Sequence, residues 1–375
     1  METVATLPLL SLRGTSGEMG VEYGKTVPDL IGRNLEDYMR RFVDVVRLSE
    51  VEVSSWGETF RDVTRAYKPS IADMIEGVAE GSGSRPEHVF ALNARTEIIY
   101  STVPSAVPSG DEECTSLAVL PSRTASEHTL LATNWDWHPE QSEVTLLLAT
   151  QDEDGFSVLT LAEAGMLAKN GLNSAGLGLC ANLLSSDRDV GGEGVPYHVL
   201  LRGVLESRTM ADATRAALNH PRVSSGNFLI ADSGGEAIDL EAVPGDFGYL
   251  LPQDGLISHS NHFLADVPVY DRKKAQSALS LIRPERVRHL LESAVESKTV
   301  SEDDIQNVLR DHYSYPNGIC RHVDERDPKH ERICTVYSIT MDLQDRAFSI
   351  AKGQPCEHEY ETVRLSDLYA KEAVS

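Results

Sequence analysis

Apolar residues at helical spacing dominate the first hundred residues of the chain. Across residues 25–48 the apolar positions recur every three or four residues, which predicts a helix with one solvated face. Residues 84–87 (Ser-Arg-Pro-Glu) resemble a capping box with proline in the first turn and predict a second helix start. Residues 1–102 are therefore expected to be helical. The glycines of residues 77–83 are interpreted as helix-end residues, because no strand precedes them as a phosphate-binding loop requires.

Beyond residue 113 the pattern changes to short aliphatic and β-branched runs between turn residues, which is typical of strands. A first set of strands, expected to be adjacent and antiparallel, is predicted at 114–120, 129–134, 144–150, 156–162 and 176–182. Two helices are then predicted at 196–206 and 210–218. A second set of strands is predicted at 227–231, 237–242, 247–250 and 256–260.

The last third of the chain returns to helices and closes with a hairpin. Residues 271–296 form an amphipathic pattern that Pro284 is expected to interrupt. Ser301 and Asp304 predict a capped helix that ends at residue 310, and runs at 333–341 and 347–351 predict the hairpin. Two sets of strands with paired helices between them predict an α/β fold, specifically a four-layer αββα sandwich of two mainly antiparallel sheets.

The composition is that of a globular protein and argues against a polyanionic partner. The chain has 375 residues, of which 41% are hydrophobic and 25% charged, enough for a large core in one compact unit. The 58 acidic residues outnumber the 34 basic ones and give a net charge of -24. Binding to a phosphate backbone needs a concentrated basic face, so neither nucleic acid nor a membrane is expected as a partner.

The sequence predicts neither a membrane span nor a secretory signal. The longest apolar stretches, 144–149 and 177–184, are far shorter than the roughly 20 residues that cross a bilayer, and the N-terminus begins acidic. The five cysteines are scattered and show no C-x-x-C spacing, which predicts neither a disulfide framework nor a zinc site. Together these features predict a cytoplasmic protein without a metal.

The candidate chemistry begins where the loop of residues 103–113 turns into a strand at Cys114. Taken alone, a cysteine at the start of a strand is an ordinary buried thiol. Polar residues also stand near strand ends in Asn134-Trp135-Asp136, Ser260-Asn261-His262, Ile319-Cys320-Arg321 and the glycine-containing run 171–182. Taken singly, these are interpreted as a turn acid beside core tryptophans, a solvated loop, a loop with a surface cation, and a tightly packed turn into a strand.

In this order the motifs resemble those of the acyl-coenzyme A:isopenicillin N acyltransferase family, which belongs to the N-terminal-nucleophile (Ntn) hydrolases. The resemblance rests on Cys114-Thr115-Ser116, Asn134-Trp135-Asp136, the run 171–177, Ser260-Asn261-His262 and Ile319-Cys320-Arg321. It extends to residues 76–81 and 93–97. Position 113 departs from the pattern, since such families often place glycine before the nucleophile and this chain has Glu113.

The resemblance implies an Ntn hydrolase fold and an inactive precursor that cuts its own chain between Glu113 and Cys114. Residues 1–113 would become a small, helical α chain and residues 114–375 the nucleophile-bearing β chain, and the two would stay together. Cleavage frees an α-amine on Cys114, with an unperturbed pKa of about 7.7–8.0. Because this amine can act as the base for the thiol of the same residue, no catalytic histidine is required.

The resemblance also assigns roles to individual residues. Cys114 would attack an amide or thioester carbonyl and form an acyl-enzyme. Asp136 would orient the new amine, and Asn261 would donate its side-chain amide to the oxyanion. Arg321 would position Asp136 or hold the charge of the thiolate. Asn134 is a further candidate for the same site.

The expected activity is that of an acyltransferase or amidohydrolase acting on a small N-acyl compound or acyl thioester. Water or an amine can discharge the same acyl-enzyme, so the sequence leaves hydrolysis and transfer open. No cofactor is expected, and acyl-coenzyme A would enter only as an acyl-donor substrate. Two alternatives remain: a non-catalytic protein that binds a small amine ligand, with Cys114 inert, and a papain-like cysteine protease with Cys114 and His259.

Overall fold

The computed structural model describes residues 2–100, 112–277, 279–293 and 299–369. Its strands, in chain order, are β1 (Glu2–Val4), β2 (Leu7–Arg13), β3 (Glu113–Val119), β4 (Leu130–Trp137), β5 (Thr145–Gln151), β6 (Ser157–Glu163), β7 (Gly171–Asn173), β8 (Leu177–Leu183), β9 (Gly226–Asp232), β10 (Ala237–Val243), β11 (Asp246–Leu250), β12 (Leu256–His259), β13 (Cys334–Asp342), β14 (Ala347–Lys352) and β15 (Glu361–Arg364). Residues 103–111 of the predicted loop and 294–296 of a predicted helix lie outside the described residues.

Helices flank these strands in two groups. They are α1 (Ser16–Thr26), α2 (Pro28–Asp44), α3 (Glu50–Tyr67), α4 (Pro69–Ser82), α5 (Pro86–Asn93), α6 (Arg95–Tyr100), α7 (Tyr197–Leu205), α8 (Met210–Leu218), α9 (Arg272–Gln276), α10 (Arg283–Ser293), α11 (Glu302–Leu309) and α12 (Leu365–Tyr369). Within the described part of the chain, no helix is long and apolar enough to cross a membrane.

The strands form two sheets. One has nine strands in the order β1-β2-β5-β6-β7-β8-β9-β10-β11, and the other has six in the order β12-β3-β4-β13-β14-β15. Neighbouring strands are antiparallel except β2 and β5, which run parallel. In the six-stranded sheet β3 lies between β12 and β4, with Cys114 opposite Trp135 and Leu117 opposite Ser258.

The two sheets pack face to face and carry helices on both outer faces. The core between the sheets contains Leu131, Leu159 and Ile339. The outer face of the nine-stranded sheet packs against α1, α4, α7 and α8, and the outer face of the six-stranded sheet packs against α10 and α11. The predicted four-layer αββα sandwich of two mainly antiparallel sheets is confirmed.

Two features of the strand order differ from the prediction. Residues 2–13 form β1 and β2, so the expectation of helix throughout residues 1–102 is wrong there. Both faces of β2 are buried, since Leu9 packs between the sheets and Leu10 against the helices, and the resulting apolar run hides a strand's alternation. The first predicted set of strands is also not one sheet, because β3 and β4 belong to the six-stranded sheet and β5, β6 and β8 to the nine-stranded one.

Helices α1 and α4 pack with their backbones in close contact at glycines. A Cβ atom added at Gly20 would lie only 2.2 Å from the carbonyl oxygen of Met74. Gly77 and Gly81 lie inside α4, on the side that faces α1, so their interpretation as helix-end residues is wrong. Gly83, with a φ of 70°, does end the helix in the left-handed conformation that favours glycine.

The helix starts agree in part with the sequence. Ser301 and Asp304 form the predicted capping box of α11. The box predicted at residues 84–87 is not formed, although Pro86 occupies the first turn of α5 as expected. Pro284 likewise stands in the first turn of α10, where its missing N–H costs no helical hydrogen bond; the predicted break therefore falls before it, between α9 and α10.

Candidate active site

Cys114 is the second residue of β3, an interior strand of the six-stranded sheet. Because side chains alternate across a strand, its thiol points between the two sheets, into the core that also holds Trp135 and Cys180. Glu113 and Thr115 point to the opposite face, which α10 covers. Cys114 is 0% exposed.

Buried side chains bind both polar groups of the Cys114 backbone. Its N–H donates to Oδ1 of Asn261 at 2.8 Å, and its carbonyl oxygen accepts a hydrogen bond from Nη1 of Arg283 at 2.9 Å. Asn261 follows β12, which is the neighbour of β3, and Arg283 begins α10. The start of β3 is therefore held by Asn261, which follows the adjacent strand β12, and by Arg283, the first residue of the covering helix α10.

The carboxylate of Glu113 lies between two arginines. Its Oε2 is 2.7 Å from Nη2 of Arg283 and 2.8 Å from Nη1 of Arg321. Burial by itself would raise the pKa of Glu113, but Arg321 and Arg283 outweigh it and lower the pKa to about 2. The predicted residue Arg321 is thus brought to the expected cleavage site through a contact with Glu113.

Glu112, the residue before β3, is fixed by a different pair of cations. It forms buried ion pairs with Nη1 of Arg95 at 3.0 Å and with Nζ of Lys169. Burial would raise the pKa of Glu112, but Arg95 and Lys169 hold it well below its usual range. Nζ of Lys169 also lies 4.0 Å from the ring centre of Trp135. The two residues before Cys114 are therefore both fixed by buried cations.

Asp136 lies opposite Glu113 in the register of β3 and β4. Its Oδ1 accepts a hydrogen bond from the hydroxyl of Thr335 at 2.7 Å, and its Oδ2 is 3.8 Å from Nη1 of Arg283, too far for a hydrogen bond. Burial raises the pKa of Asp136 to about 6, although Arg283 and Arg321 oppose this. The structure therefore brings this predicted residue next to the Glu113–Cys114 bond.

The side-chain oxygen of Asn261, rather than its amide nitrogen, faces Cys114. Oδ1 accepts from the N–H of Cys114 and from Nη2 of Arg283 at 3.0 Å, and Nδ2 donates to the carbonyl oxygen of Leu183 at 3.0 Å. A backbone N–H and a guanidinium can only donate, so these partners fix the orientation of the amide. In the uncut chain, the group expected to donate to an oxyanion is bound to Leu183.

Asn134 is not brought to the thiol. It lies on the outer face of β4, and its amide donates to the carbonyl oxygens of Leu309 and Ile319, each at 2.9 Å. Leu309 is the last residue of α11, whose final carbonyls need partners from outside the helix. These contacts give Asn134 a structural role in fixing α11 to the sheet.

His259, the base of the papain-like alternative, is engaged away from Cys114. Its Nε2 lies 2.7 Å from Oε1 of Glu241, and its Nδ1 lies 2.8 Å from the carbonyl oxygen of Ser260. Burial would lower the pKa of His259, but Asp239 and Glu241 outweigh it and raise the pKa. With both ring nitrogens occupied, His259 does not form a thiol–imidazole pair with Cys114.

The thiol of Cys114 is inaccessible and protonated in this state. Burial raises its pKa to about 12, with a further contribution from Glu112. A cavity of about 640 Å³ reaches Cys334 and Thr335, but Cys114 is not among the residues that line it. The uncut chain thus holds a thiol that is neither ionised nor open to a substrate.

Several polar residues at the site were not predicted from the sequence. Arg283 contacts Glu113, Cys114 and Asn261, and its only sequence signal is its place before Pro284 at a helix start. On the inner face, the hydroxyl of Ser116 donates to Oδ1 of Asn182 at 2.6 Å. This inner-face pair offers polar groups two residues along β3 from the thiol.

Comparison with known proteins gives the family. The profile described as Acyl-coenzyme A:6-aminopenicillanic acid acyl-transferase matches residues 123–357, which include Asp136, Asn261 and Arg321 and begin after Cys114. The chain is also 24% identical over 367 residues to the Acyl-coenzyme A:6-aminopenicillanic-acid-acyltransferase 40 kDa form of Emericella nidulans, covering 97% of this chain and 98% of that protein.

Solved structures of three enzymes are similar to this one at low sequence identity. A mutant of the conjugated bile acid hydrolase from Clostridium perfringens has 14% identity and a TM-score of 0.44, covering 67% of this chain and 96% of its own. The Caenorhabditis elegans orthologue of N-acylethanolamine-hydrolyzing acid amidase has 14% identity and a TM-score of 0.44, covering 61% of this chain and 93% of its own. Penicillin V acylase from Agrobacterium tumefaciens has 13% identity and a TM-score of 0.41, covering 64% of this chain and 83% of its own.

The family profile spans more than half of the chain, and the relative from Emericella nidulans aligns over nearly its whole length. Both agree with the resemblance drawn from the ordered motifs, which is therefore confirmed. The protein belongs to the acyl-coenzyme A:6-aminopenicillanic acid acyl-transferase family and is an enzyme of the acyltransferase or amide hydrolase type.

Proposed function

We propose that this protein is a cysteine Ntn enzyme that cuts its own chain between Glu113 and Cys114. The mature enzyme then cleaves or transfers the acyl group of a small N-acyl compound through a thioester on Cys114. The observation that carries this proposal is the binding of the Cys114 backbone at both polar groups, by Asn261 and Arg283, at the start of a buried strand. Such fixation would hold the nitrogen of the Glu113–Cys114 bond, and the residue that carries the thiol, in one orientation.

The maturation step uses groups that are already in place. The sulfur of Cys114 attacks the carbonyl carbon of Glu113, so that a C–S bond forms and the C–N bond breaks. The thiol proton passes to the nitrogen, which becomes the α-amine of Cys114. Water then hydrolyses the thioester, leaving a carboxylate on Glu113 and restoring the thiol. Arg283 and Arg321 hold the Glu113 side chain while this occurs.

Cleavage would change the chemistry of the thiol. In the uncut chain burial raises the pKa of Cys114 to about 12, and no base is present on that residue. The new α-amine would supply one, and Asp136, opposite Glu113 in the sheet register, would orient it. Asn261, which Arg283 and Leu183 also bind, would have to turn its amide after cleavage in order to donate to an oxyanion.

In turnover the thiol attacks the carbonyl carbon of an N-acyl compound or acyl thioester. The leaving amine or thiol takes the proton carried by the α-amine, and the acyl group remains on sulfur. Water then gives hydrolysis and a second amine gives transfer. The family name supports acyl-coenzyme A as one acyl donor, which would make it a substrate rather than a cofactor.

We further propose that the two fragments remain associated in a reducing, cytoplasmic setting. Strands β1 and β2 of the N-terminal fragment extend the nine-stranded sheet by pairing β2 with β5, and Arg95 of the same fragment binds Glu163 of the other. All five cysteines are free thiols in the structure. The mature fragments should co-elute in gel filtration and separate only in denaturant.

Denaturing mass spectrometry of the purified protein tests the maturation step. Two fragments, residues 1–113 and 114–375, are expected from the wild type, and a single uncut, inactive chain from Cys114→Ala. An acyl group trapped on Cys114 during turnover would identify the donor. A wild-type chain that is stable, active and uncut would contradict the proposed mechanism.

Alkylation of the mature enzyme tests the nucleophile separately. Iodoacetamide should abolish activity while leaving both fragments in place, with the label on the peptide that begins at Cys114. Substrate should protect this thiol, whereas Cys180 and Cys334, which are buried, serve as internal controls. Loss of activity with the label confined to other cysteines would rule out Cys114 as the nucleophile.

A further inference from the structure

Two cysteines and two histidines converge on loops outside the Cys114 site. His312, Cys320 and His322 lie between α11 and β13, and Cys356 lies between β14 and β15. One nitrogen or sulfur atom of each side chain falls within 4.8 Å of the corresponding atoms of the other three. We call this group the Cys2His2 cluster.

Four of the six interatomic distances of the cluster are close to those of a tetrahedral site. A zinc ion bound by two thiolates and two imidazoles places its ligands about 3.8 Å apart for two sulfurs, about 3.6 Å for sulfur and nitrogen, and about 3.4 Å for two nitrogens. In the structure, the sulfurs of Cys320 and Cys356 are 3.5 Å apart. Nε2 of His322 lies 3.7 Å and 3.3 Å from these sulfurs and 3.2 Å from Nε2 of His312.

Hydrogen bonding alone does not account for this convergence. Nε2 of His322 faces three polar atoms at once, on His312, Cys320 and Cys356. A neutral imidazole nitrogen carries either one proton or one lone pair, so it satisfies one of these contacts and leaves the others unexplained. A cation at the centre would accept a lone pair from each of the four side chains.

We propose that His312, Cys320, His322 and Cys356 together bind one zinc ion as a structural site. Two sulfur and two nitrogen ligands suit zinc and exclude hard cations such as calcium or magnesium. Because the protein supplies all four ligands, no position is left for a substrate, as in structural rather than catalytic zinc sites. Binding releases the two thiol protons of the cysteines.

A carboxylate next to the cluster fits the same interpretation. Oε1 of Glu357 lies 3.8 Å from Nδ1 of His322, the ring nitrogen that does not face the cluster. Metal-bound histidines usually direct their second ring nitrogen toward a carboxylate or carbonyl group, which fixes the ring and its tautomer. Glu357 directly follows the ligand Cys356, so one short loop provides both the ligand and this support.

The zinc ion would act on the Cys114 site as a positioning element. Arg321 stands between the ligands Cys320 and His322, and its guanidinium reaches Glu113 at 2.8 Å. The loop is otherwise held to the neighbouring loop by a hydrogen bond from Nε of Arg310 to the carbonyl oxygen of Pro355 at 2.8 Å. A metal bound to Cys320 and His322 would fix the backbone on both sides of Arg321, and its bonds to His312 and Cys356 would hold that segment to the neighbouring loop.

Metal analysis of the full chain tests the proposal. Wild type and Cys114→Ala, purified under reducing conditions with zinc in the growth medium, should each carry about one zinc ion per chain. The exposed ligands allow variants that spare the core, and His312→Ala and Cys356→Ser should each lower zinc affinity by at least about tenfold. His330→Ala, another exposed histidine of the same loop, and Cys334→Ser are controls that should keep the metal.

Cobalt substitution provides a second measurement on the unaltered chain. Cobalt-loaded wild type should show the visible bands of tetrahedral cobalt and a thiolate charge-transfer band, which Cys356→Ser weakens. Wild-type protein that holds no zinc after reconstitution would overturn the proposal. A Cys320–Cys356 disulfide that persists when zinc is supplied, or ligand variants that bind as much zinc as wild type, would also overturn it.

These outcomes are independent of the proposed acyl chemistry, because Cys114→Ala lacks the nucleophile and should still bind zinc. If zinc binds and the chain nevertheless fails to cleave, the maturation mechanism fails and the metal site stands. If the chain cleaves and no zinc binds, only the metal site fails. In zinc-binding wild type, removal of the metal by a chelator before maturation should slow formation of the two fragments.

Discussion

The side-chain oxygen of Asn261 accepts a hydrogen bond from the N–H of Cys114 at 2.8 Å. This N–H belongs to the peptide bond whose cleavage we propose, so the contact in this form exists only before maturation. Afterwards the nitrogen is an amine, which can still donate an N–H to the side-chain oxygen of Asn261. We therefore propose that one side chain orients the bond that is cut and then serves the site that the cut creates.

Asn261→Ala should lower the turnover number of the mature enzyme by about 100-fold or more, because it removes the amide that we propose as donor to the oxyanion. The measurement is kcat on protein whose cleavage has been verified by mass spectrometry. Asn219→Ala, an exposed position after α8, is the control and should leave kcat unchanged. A fully cleaved Asn261→Ala enzyme with a near-normal kcat would rule out this role.

Asp136→Asn should abolish most activity without lowering stability at neutral pH. The folded pKa of Asp136, about 6, lies above its ordinary 3.8, so the stabilising form is the protonated one. The contribution of protonated Asp136 to the stability of the folded chain is complete below pH 3.8 and is lost as the pH rises through 6. As the pH rises from 4 to 7, the free energy of unfolding of Asp136→Asn should therefore increase by on the order of 2–3 kcal/mol relative to that of its parent.

This prediction is measured by denaturant unfolding in the Cys114→Ala background, where the chain remains uncut, and by kcat in the cleavable background. The Oδ1 contact with Thr335 can be kept by asparagine, which makes the substitution conservative. Unchanged kcat, or a variant that is less stable than its parent at pH 7, would contradict the charge-based role of Asp136.

Glu113→Gln should show the opposite pH dependence. The folded pKa of Glu113, about 2, lies below its ordinary 4.5, so the ionised form is the stabilising one. The contribution of ionised Glu113 to the stability of the folded chain is complete above pH 4.5 and is lost as the pH falls toward 2. In the Cys114→Ala background the variant should therefore be on the order of 3 kcal/mol less stable at pH 7, with the difference shrinking on acidification.

Glu359→Gln, at an exposed glutamate, is the control and should show no such trend. The measurement is the free energy of unfolding from urea titrations at several pH values. A difference between Glu113→Gln and its parent that stays constant from pH 7 to pH 3 would show that Arg283 and Arg321 do not hold an ionised Glu113.

Most of the fold was predictable from the sequence because most elements are amphipathic. The strand 237–242 and the helix 210–218 match β10 and α8 almost to the residue. The errors fall where burial is two-sided, as in β2, or where helices approach through glycine, as at Gly77. In both cases the tertiary partner decides the structure, and that partner is distant in the sequence.

The site was predictable where a motif marks it and hidden where contacts come from distant elements. Cys114, Asp136, Asn261 and Arg321 were found through ordered motifs, and the structure brings them around one peptide bond. Asn134 shares a motif with Asp136 and a face of β4, but its amide is used by α11. The Cys2His2 cluster was not predicted from the sequence, because its ligands at 312, 320, 322 and 356 do not form a short repeated spacing.

Arg283→Met should slow self-cleavage strongly, by about 100-fold, while Arg288→Met on the same helix should have little effect. Arg283 donates to the carbonyl oxygen of Cys114, to Glu113 and to Asn261, so its loss releases three groups around the scissile bond at once. A misplacement of about 1 Å at a reacting centre is enough to cost a factor of this size. The measurement is the rate at which the two fragments form in freshly purified precursor.

Arg283→Lys separates charge from geometry in the same assay. A lysine ammonium keeps the positive charge near Glu113, but its three donors sit on one nitrogen and do not reproduce the planar fork that reaches several oxygens together. If geometry is what matters, Arg283→Lys should cleave nearly as slowly as Arg283→Met. If instead the lysine variant cleaves at the wild-type rate, Arg283 serves only to balance the charge of Glu113, and Asn261 alone would orient the peptide group of Cys114.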